Sequence, residues 1–325
     1  MKRLWLRWVA FLNAPEAPDA LAAVRVTFGL AVCLNLLQQM LLDDPVRLYA
    51  EIEHGGMFGF RFNAYPYTLY RLVPLTAFWA WALLCAQLLA AVCFTLGLFT
   101  RAASVAMMVL QMTFYDRLVM FRYDGDNVYR VACYLMALSP AGAAWSLDAA
   151  WRGKGRETIA RWARWLIMAQ VVIIYVRTGL VKLGSSWSIM DHWRALYLAL
   201  NLPGIARWPG DWAAYWPIYP ITQLSTFLVS WWEFLFFLLP LNLWWRNHRA
   251  PGNPLTRLLA RWNLRPWMLA FGVAMHAGIF VMTDVGLFSV VMVSLYAAWL
   301  TPQEARAVFS AALAAVRRPA AGSTA

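Results

Sequence analysis

The chain has 325 residues, of which 62% are hydrophobic and 14% are charged. Soluble domains carry about a quarter charged residues, so this composition favours a membrane protein. The formal net charge of +12 does not indicate nucleic-acid binding, because the positive residues are distributed among the loops as membrane topology requires. We therefore expect a lipid bilayer as the partner, and no nucleic acid.

Apolar runs of bilayer-spanning length, about 20 residues, recur along the chain and predict an all-α, polytopic transmembrane helical bundle. The eight predicted helices cover residues 21–42, 74–98, 102–121, 127–145, 160–183, 219–245, 267–283 and 286–301. The basic and aromatic residues 1–20 predict an amphipathic helix on the inner leaflet, or otherwise a frayed terminus. Residues 21–302 are predicted to form the transmembrane domain, and residues 303–325 a short Ala-rich cytoplasmic tail.

The distribution of Lys and Arg predicts the topology of these eight helices. With the N-terminus inside, the inner segments carry 17 Lys and Arg residues and the outer segments carry 7. Positive residues accumulate on the cytoplasmic side, so both termini are predicted to be cytoplasmic in a multi-pass protein of the inner (plasma) membrane. The same topology places Lys182, Asp126, Asp284 and His54 at the outer side.

Lys182 is the leading candidate for chemistry. It lies near the end of the fifth predicted helix between Gly179 and Gly184, which permit close approach of another helix. A cation inside the bilayer costs roughly 2.5 to 3.5 kcal/mol. A desolvated ammonium loses its proton more readily, so Lys182 is a candidate base. The alternative is an interfacial anchor whose aliphatic stem lies in the acyl region.

Two acids, Asp124 and Asp126, precede the fourth predicted helix. Acids at this position suit helix capping, and they equally suit a nearby cation such as Lys182 or Arg130. Asp126 is therefore a second candidate catalytic residue. We expect it to begin the helix on the side of the bundle where Lys182 emerges.

Two further ionisable residues fall inside predicted spans. His276 is either a hydrogen-bonded core residue or a third candidate catalytic residue. Glu233 must be protonated or paired at this depth, and Arg25, Arg130 and Arg177 are its candidate partners.

Metal binding has little support in the sequence. His192 is a weak ligand candidate in an interfacial aromatic segment. The four cysteines all fall inside apolar segments without metal-ligand spacing, so neither a disulfide nor a metal site is predicted; they are Cys33, Cys85, Cys93 and Cys133.

Five short motifs occur along the chain in a recognisable order. They are Arg25 in the first span, then Gly125-Asp126, then Ser146-Leu147-Asp148, then Gly179, Lys182, Leu183 and Trp187, and last His276 with Gly286, Leu287 and Phe288. With these motifs the chain resembles the HTTM (horizontally transferred transmembrane) family and the related membrane domain of vitamin K-dependent gamma-carboxylases. The resemblance covers most of residues 5–302.

The resemblance implies a multi-helix membrane bundle with a site that opens to the outer face. It also implies that Lys182 is a base that deprotonates a hydroquinone, which in the carboxylases leads to glutamate γ-carboxylation. The carboxylases carry an Asn-His pair ahead of the fourth helix, where this chain has Gly125-Asp126-Asn127. They also have a large lumenal region for peptide recognition, so the resemblance extends to the fold and the lysine but not to peptide carboxylation.

Three functions fit these observations to different degrees. The first is a quinone-dependent enzyme with Lys182, Asp126 and His276 as catalytic residues and an isoprenoid quinone or hydroquinone as the cofactor. The second is a non-enzymatic protein that binds a lipid-like or peptide ligand and retains the fold. A transporter is disfavoured, because charged residues are few and no internal repeat is visible.

Overall fold

The structure is a computed structural model. It describes residues 2–57, 68–117, 124–153, 158–208, 210–247, 253–286 and 288–317. Leu287 of the last motif, residues 118–121 of the third predicted helix and residues 318–325 of the tail lie outside the described residues.

The described part of the chain is mostly helical, as predicted, and contains fifteen α-helices. They are α1 (Lys2–Asn13), α2 (Asp19–Leu41), α3 (Pro45–Tyr49), α4 (Ala77–Leu96), α5 (Thr100–Arg117), α6 (Asp124–Leu138), α7 (Leu147–Trp151), α8 (Trp162–Val181), α9 (Ala195–Asn201), α10 (Ile218–Leu235), α11 (Leu238–Asn247), α12 (Pro254–Arg261), α13 (Leu264–Met282), α14 (Phe288–Leu295) and α15 (Pro302–Arg317). Each of the eight predicted helices has a counterpart among them.

Four of the described helices, α2, α4, α8 and α13, are long and apolar enough to cross a membrane. The bent pair α10–α11 makes a fifth if it is one span. The other counterparts of predicted spans are α5, which carries charges at both ends, and the shorter α6 and α14. The 15 residues of α6 extend about 22 Å, less than the roughly 30 Å of a bilayer core. Eight crossings and cytoplasmic termini therefore stay predictions.

Two prolines explain where the structure departs from the predicted helix boundaries. The predicted helix 219–245 is two helices bent by 50°, because Pro240 lacks an N–H and is tolerated only in the first turn of the second helix, α11. The predicted helix 127–145 ends at Leu138, since the residue before Pro140 is biased away from helical geometry.

The N-terminal segment is a helix and not a frayed terminus. α1 exposes Trp5, Leu6 and Trp8, although its placement on a leaflet stays a prediction. It is followed by a two-residue strand, β1 (Pro15–Glu16), which pairs antiparallel with β2 (Ile159–Ala160). This short pair is a departure from the all-α prediction.

The chain divides into two compact units. The first comprises residues 1–167 and 294–325, and the second residues 168–293. In the first unit α2 packs on α4, α4 on α5 and α5 on α6, with α15 also on α2. In the second unit α9 packs on α10, and α11 packs on α12 and α13. The prediction from the sequence is one transmembrane domain over 21–302, and this division is not part of it.

Candidate functional site

A glycine brings α8 and α10 into backbone contact in the second unit. A β-carbon on Gly179 would lie 2.4 Å from the backbone nitrogen of Phe234 and 2.7 Å from its α-carbon. Only a residue without a side chain permits this approach. The contact sets the register between the two helices and places the residue before Phe234, Glu233, beside the end of α8.

Lys182 and Glu233 form an ion pair at this crossing. The Nζ atom of Lys182 lies 2.7 Å from both carboxylate oxygens of Glu233 and donates a hydrogen bond to Oε1. The Lys182 side chain is 20% exposed and that of Glu233 is 7% exposed. Lys182 is therefore the part of the pair that a ligand would meet first, with Glu233 behind it.

The surroundings of Lys182 are apolar and aromatic. Its Nζ lies 4.4 Å from the centre of the Trp187 ring, in a cation–π contact. The neighbouring side chains Val181 and Leu183 are exposed. The ammonium is thus surrounded by groups that suit lipid or a flat apolar molecule.

His276 is a buried, hydrogen-bonded residue. Its Nε2 atom lies 2.7 Å from the hydroxyl of Tyr175, and both residues are almost fully buried. Trp232 and Phe236 pack on the Tyr175 ring with centroid distances of 4.8 and 4.6 Å. Tyr175 precedes Lys182 by seven residues, two turns of α8, so the two side chains lie on one face of that helix. The structure does not test a catalytic role for His276.

The predicted partners of Glu233 are wrong. Arg25 donates to backbone carbonyls, as described below, while Arg130 donates to Asn127 Oδ1 at 3.3 Å. Arg177 is exposed on α8. Lys182 and Glu233 are separate features in the sequence, because the register between the two helices that brings together residues 51 positions apart is not readable from either segment alone.

The first and the third of the five motifs have structural roles in the first unit. Arg25 is fully buried and donates to the carbonyl oxygens of Ala141 at 2.7 Å, of Ala144 at 2.8 Å and of Trp145. A β-carbon on Gly97, which has a φ of +70°, would lie 3.1 Å from Cζ of Arg25. The arginine of the first motif thus anchors the turn after α6.

Asp148 of the third motif caps the start of α5. Its Oδ1 accepts from the backbone N–H of Phe99 at 2.8 Å, and its Oδ2 accepts from the N–H and hydroxyl of Thr100, each at 2.7 Å. Partial burial acts to raise the pKa of Asp148, but these hydrogen bonds outweigh it and hold the pKa below its ordinary value. Ser146 caps α7 by accepting from the N–H of Ala149 at 3.0 Å.

Asp126 lies in the first turn of α6, close to its predicted position at the helix start. It borders a small polar cavity of about 40 Å³ together with Gln39, Tyr49, Gln87 and Gln111. The Tyr49 hydroxyl donates to Gln39 Oε1 at 2.8 Å, and burial raises the pKa of Tyr49 well above its ordinary value, so this group stays a donor. Asp126 belongs to the first unit and Lys182 to the second. The expectation that both lie on the same side of the bundle stays a prediction.

His192 lies outside these clusters. It is exposed, has a φ of +54°, and borders a cleft of about 430 Å³ with Trp193, Gln223, Leu224 and Phe227. Gln223 holds this turn by donating to the carbonyl oxygen of His192 at 2.8 Å.

The apolar helices and the ionisable pair at the end of α8 define a helical membrane protein. The family model for the HTTM domain matches residues 13–303. The chain belongs to the HTTM family, which confirms the resemblance to that family drawn from the ordered motifs. No solved structure matches the chain.

Proposed function

We propose that this protein crosses the inner (plasma) membrane several times and uses Lys182 and Glu233 together as an acid–base centre for a lipid-soluble ligand. The observation that carries the proposal is the 2.7 Å contact between Nζ of Lys182 and the carboxylate of Glu233, at the end of an apolar helix. Ionisable residues at membrane depth are costly and usually functional. The lysine is also the residue that the family resemblance assigns as the base.

The pair is suited to take up one proton. Nζ of Lys182 and Oε1 of Glu233 are 2.7 Å apart and share one hydrogen bond. When the shared proton lies on Oε1, Nζ is a neutral amine that can accept a further proton. The O–H bond of the donor breaks and its electron pair stays on the oxygen. The pair then carries a net positive charge, which stabilises the negative charge left on the donor.

An isoprenoid hydroquinone is the ligand that we favour, and when bound it would supply the acidic O–H group. The Trp187 ring beside Nζ and the exposed Val181 and Leu183 fit a flat ring with an apolar tail. Because those side chains are exposed on an apolar helix, such a ligand reaches Lys182 from the lipid. His276 and Asp126 remain candidate residues for the same activity, and peptide carboxylation is not included in the proposal.

A second function is favoured by the geometry at Gly179. The backbone contact there makes the Lys182–Glu233 pair part of the packing between α8 and α10. In a non-enzymatic protein that binds a lipid or a peptide, the same pair would hold the helices together without transferring a proton.

Mass spectrometry of purified protein tests the ligand, and anaerobic spectroscopy tests the chemistry. Organic extracts should contain an isoprenoid quinone. Added menadiol should give the absorbance of its anion with the wild type, but not with Lys182→Met or Glu233→Gln. Lys182→Arg should also fail, because arginine does not give up its proton in a protein.

Arg177→Met is the matched control, since Arg177 is an exposed cation on the same helix. It should leave both the quinone content and the anion signal unchanged. If folded Lys182→Met and Glu233→Gln variants keep the full anion signal, the pair is structural and the binding function replaces the enzymatic one.

A further inference from the structure

A polar cavity of about 380 Å³ lies in the first unit, where α5 begins. It is bordered by Thr100, Arg101, Ser139, Asp148 and Arg152, with small residues between them. All of these residues belong to the first unit, so the cavity is independent of the Lys182–Glu233 pair. Its size is within the range of small-molecule sites, about 300 to 1,000 Å³.

The described residues that border the cavity carry one uncompensated positive charge. Arg101 and Arg152 are both exposed, and the guanidinium of Arg101 makes no hydrogen bond or ion pair with any described residue. Asp148 is the one acid among the described residues that border the cavity, and both of its oxygens already accept hydrogen bonds from Phe99 and Thr100. Arg152 uses its Nε to donate to the Asp148 carbonyl at 2.9 Å, which leaves its two Nη atoms for a ligand.

The position of the cavity indicates the membrane interface. The apolar span α4 ends at Leu96, four residues before the cavity begins at Thr100. Phe99 and Trp151, each about two-thirds exposed, contact each other edge-to-face at 6.2 Å and directly precede Thr100 and Arg152. Exposed aromatic rings beside cations are typical of the headgroup level of a bilayer.

We propose that this cavity binds the headgroup of an anionic phospholipid. A phosphodiester brings one negative charge, which matches the one uncompensated positive charge, and its oxygens suit the planar donors of Arg101 and Arg152. The acyl chains would lie against the exposed Phe99 and Trp151. A free phosphate has the same charged group but lacks the apolar part.

Short-chain lipids test the proposal on the full-length protein in detergent. Dihexanoyl-phosphatidylglycerol should bind at least tenfold more tightly than dihexanoyl-phosphatidylcholine, as measured by native mass spectrometry. Each cation near a membrane surface contributes about fivefold to the affinity for anionic lipid. Arg101→Gln should therefore lose about fivefold in affinity, and Arg101→Gln with Arg152→Gln about 30-fold.

Two exposed arginines of the second unit provide the control. Arg257→Gln with Arg261→Gln on α12 removes the same charge elsewhere and should leave the preference for phosphatidylglycerol intact. Arg101 makes no contact that folding needs, so its single variant stays informative if the double variant does not fold.

Three outcomes would overturn the proposal. Equal affinities for the two lipids would show that the cavity does not recognise the charge of the headgroup. Equal losses of phosphatidylglycerol affinity in the Arg101/Arg152 and Arg257/Arg261 double variants would show that the effect comes from general surface charge. Inorganic phosphate that competes with phosphatidylglycerol at equal concentration would show a site for soluble phosphate, and the lipid assignment would then fail.

Discussion

The backbone of Gly179 packs directly on the backbone of Phe234. No β-carbon fits between them, since it would lie 2.4 Å from the Phe234 nitrogen. Three residues after Gly179, Lys182 reaches Glu233, the residue before Phe234. The helix crossing and the ion pair are therefore one arrangement, and a change at the glycine should affect both.

Gly179→Ala should destabilise the second unit by about 1 to 3 kcal/mol, the usual cost of overpacking a close contact. The backbone of Phe234 has to shift, so the distance between Lys182 and Glu233 should also increase. Thermal unfolding in detergent measures the first effect. Gly184→Ala is the control, because no described residue lies within 4 Å of a β-carbon at Gly184, and it should leave the unfolding temperature unchanged.

Removing one partner of the ion pair should cost more than removing both. Lys182→Met leaves the carboxylate of Glu233 unpaired and only 7% exposed, so we expect a loss of about 2 to 3 kcal/mol. This is below the roughly 3 to 5 kcal/mol of a fully buried pair, because Lys182 itself is 20% exposed. Lys182→Met with Glu233→Gln should recover most of the loss in a double-mutant cycle. Additive losses would show that the two side chains do not interact.

Arg25 should be needed for the stability of the first unit. Arg25→Met leaves two buried carbonyl oxygens, those of Ala141 and Ala144, and the part-buried one of Trp145 without their donor, at a cost of about 3 kcal/mol. Arg25→Lys should recover only part of this, since a single ammonium does not reproduce the planar donors of arginine. Denaturant unfolding gives the free energies. Arg177→Met, which removes an exposed cation, should stay within about 0.5 kcal/mol of the wild type.

The cap on α5 should make the first unit sensitive to acid. The pKa of Asp148 in the folded protein lies below its ordinary value of 3.8, so the ionised form favours folding. This contribution is fully present above the unfolded pKa and is lost as the pH falls below about 3.8 through the lower folded pKa. Unfolding midpoints at pH 7 and pH 3 should therefore differ less for Asp148→Asn than for the wild type. An equal difference in the two proteins would exclude Asp148 as a source of acid sensitivity.

Topology can be tested with reporter fusions. The distribution of Lys and Arg predicts that fusions after residues 155 and 255 report the cytoplasm and that a fusion near residue 205 reports the outer side. A fusion after residue 255 that reports the outer side would contradict the eight-helix arrangement.

Hydrophobicity located the helices well, because burial in lipid or protein needs long apolar runs in either case. It did not locate every helix end, since an apolar run such as 127–145 continues past Pro140 while the helix stops at Leu138. The bend between α10 and α11 was marked in the sequence by Pro240. The continuous apolar run around Pro240 nevertheless favours a single helix over residues 219–245.

The candidate site was predicted as isolated residues. Lys182 is identified from its position near the end of an apolar segment and Glu233 from its place inside a predicted span, but their pairing depends on the backbone contact between Gly179 and Phe234. Gln87 donates hydrogen bonds to Gln111 at 2.9 Å and to Tyr129 at 3.1 Å. This network is not predicted from the sequence, because an uncharged amide inside an apolar run does not stand out as a candidate site residue.

The contact between the β1 residue Glu16 and Arg164 imposes an order on the synthesis of the chain. Arg164 donates to both carboxylate oxygens of Glu16 at 2.9 and 2.8 Å across 148 residues of sequence. At about 5 to 20 residues per second, roughly 7 to 30 s pass between the translation of these two residues. During this interval α2, α4, α5 and α6 are made while Glu16 still lacks its partner. The closing of this contact is therefore a late event in the assembly of the first unit, although it involves one of the first segments to leave the ribosome.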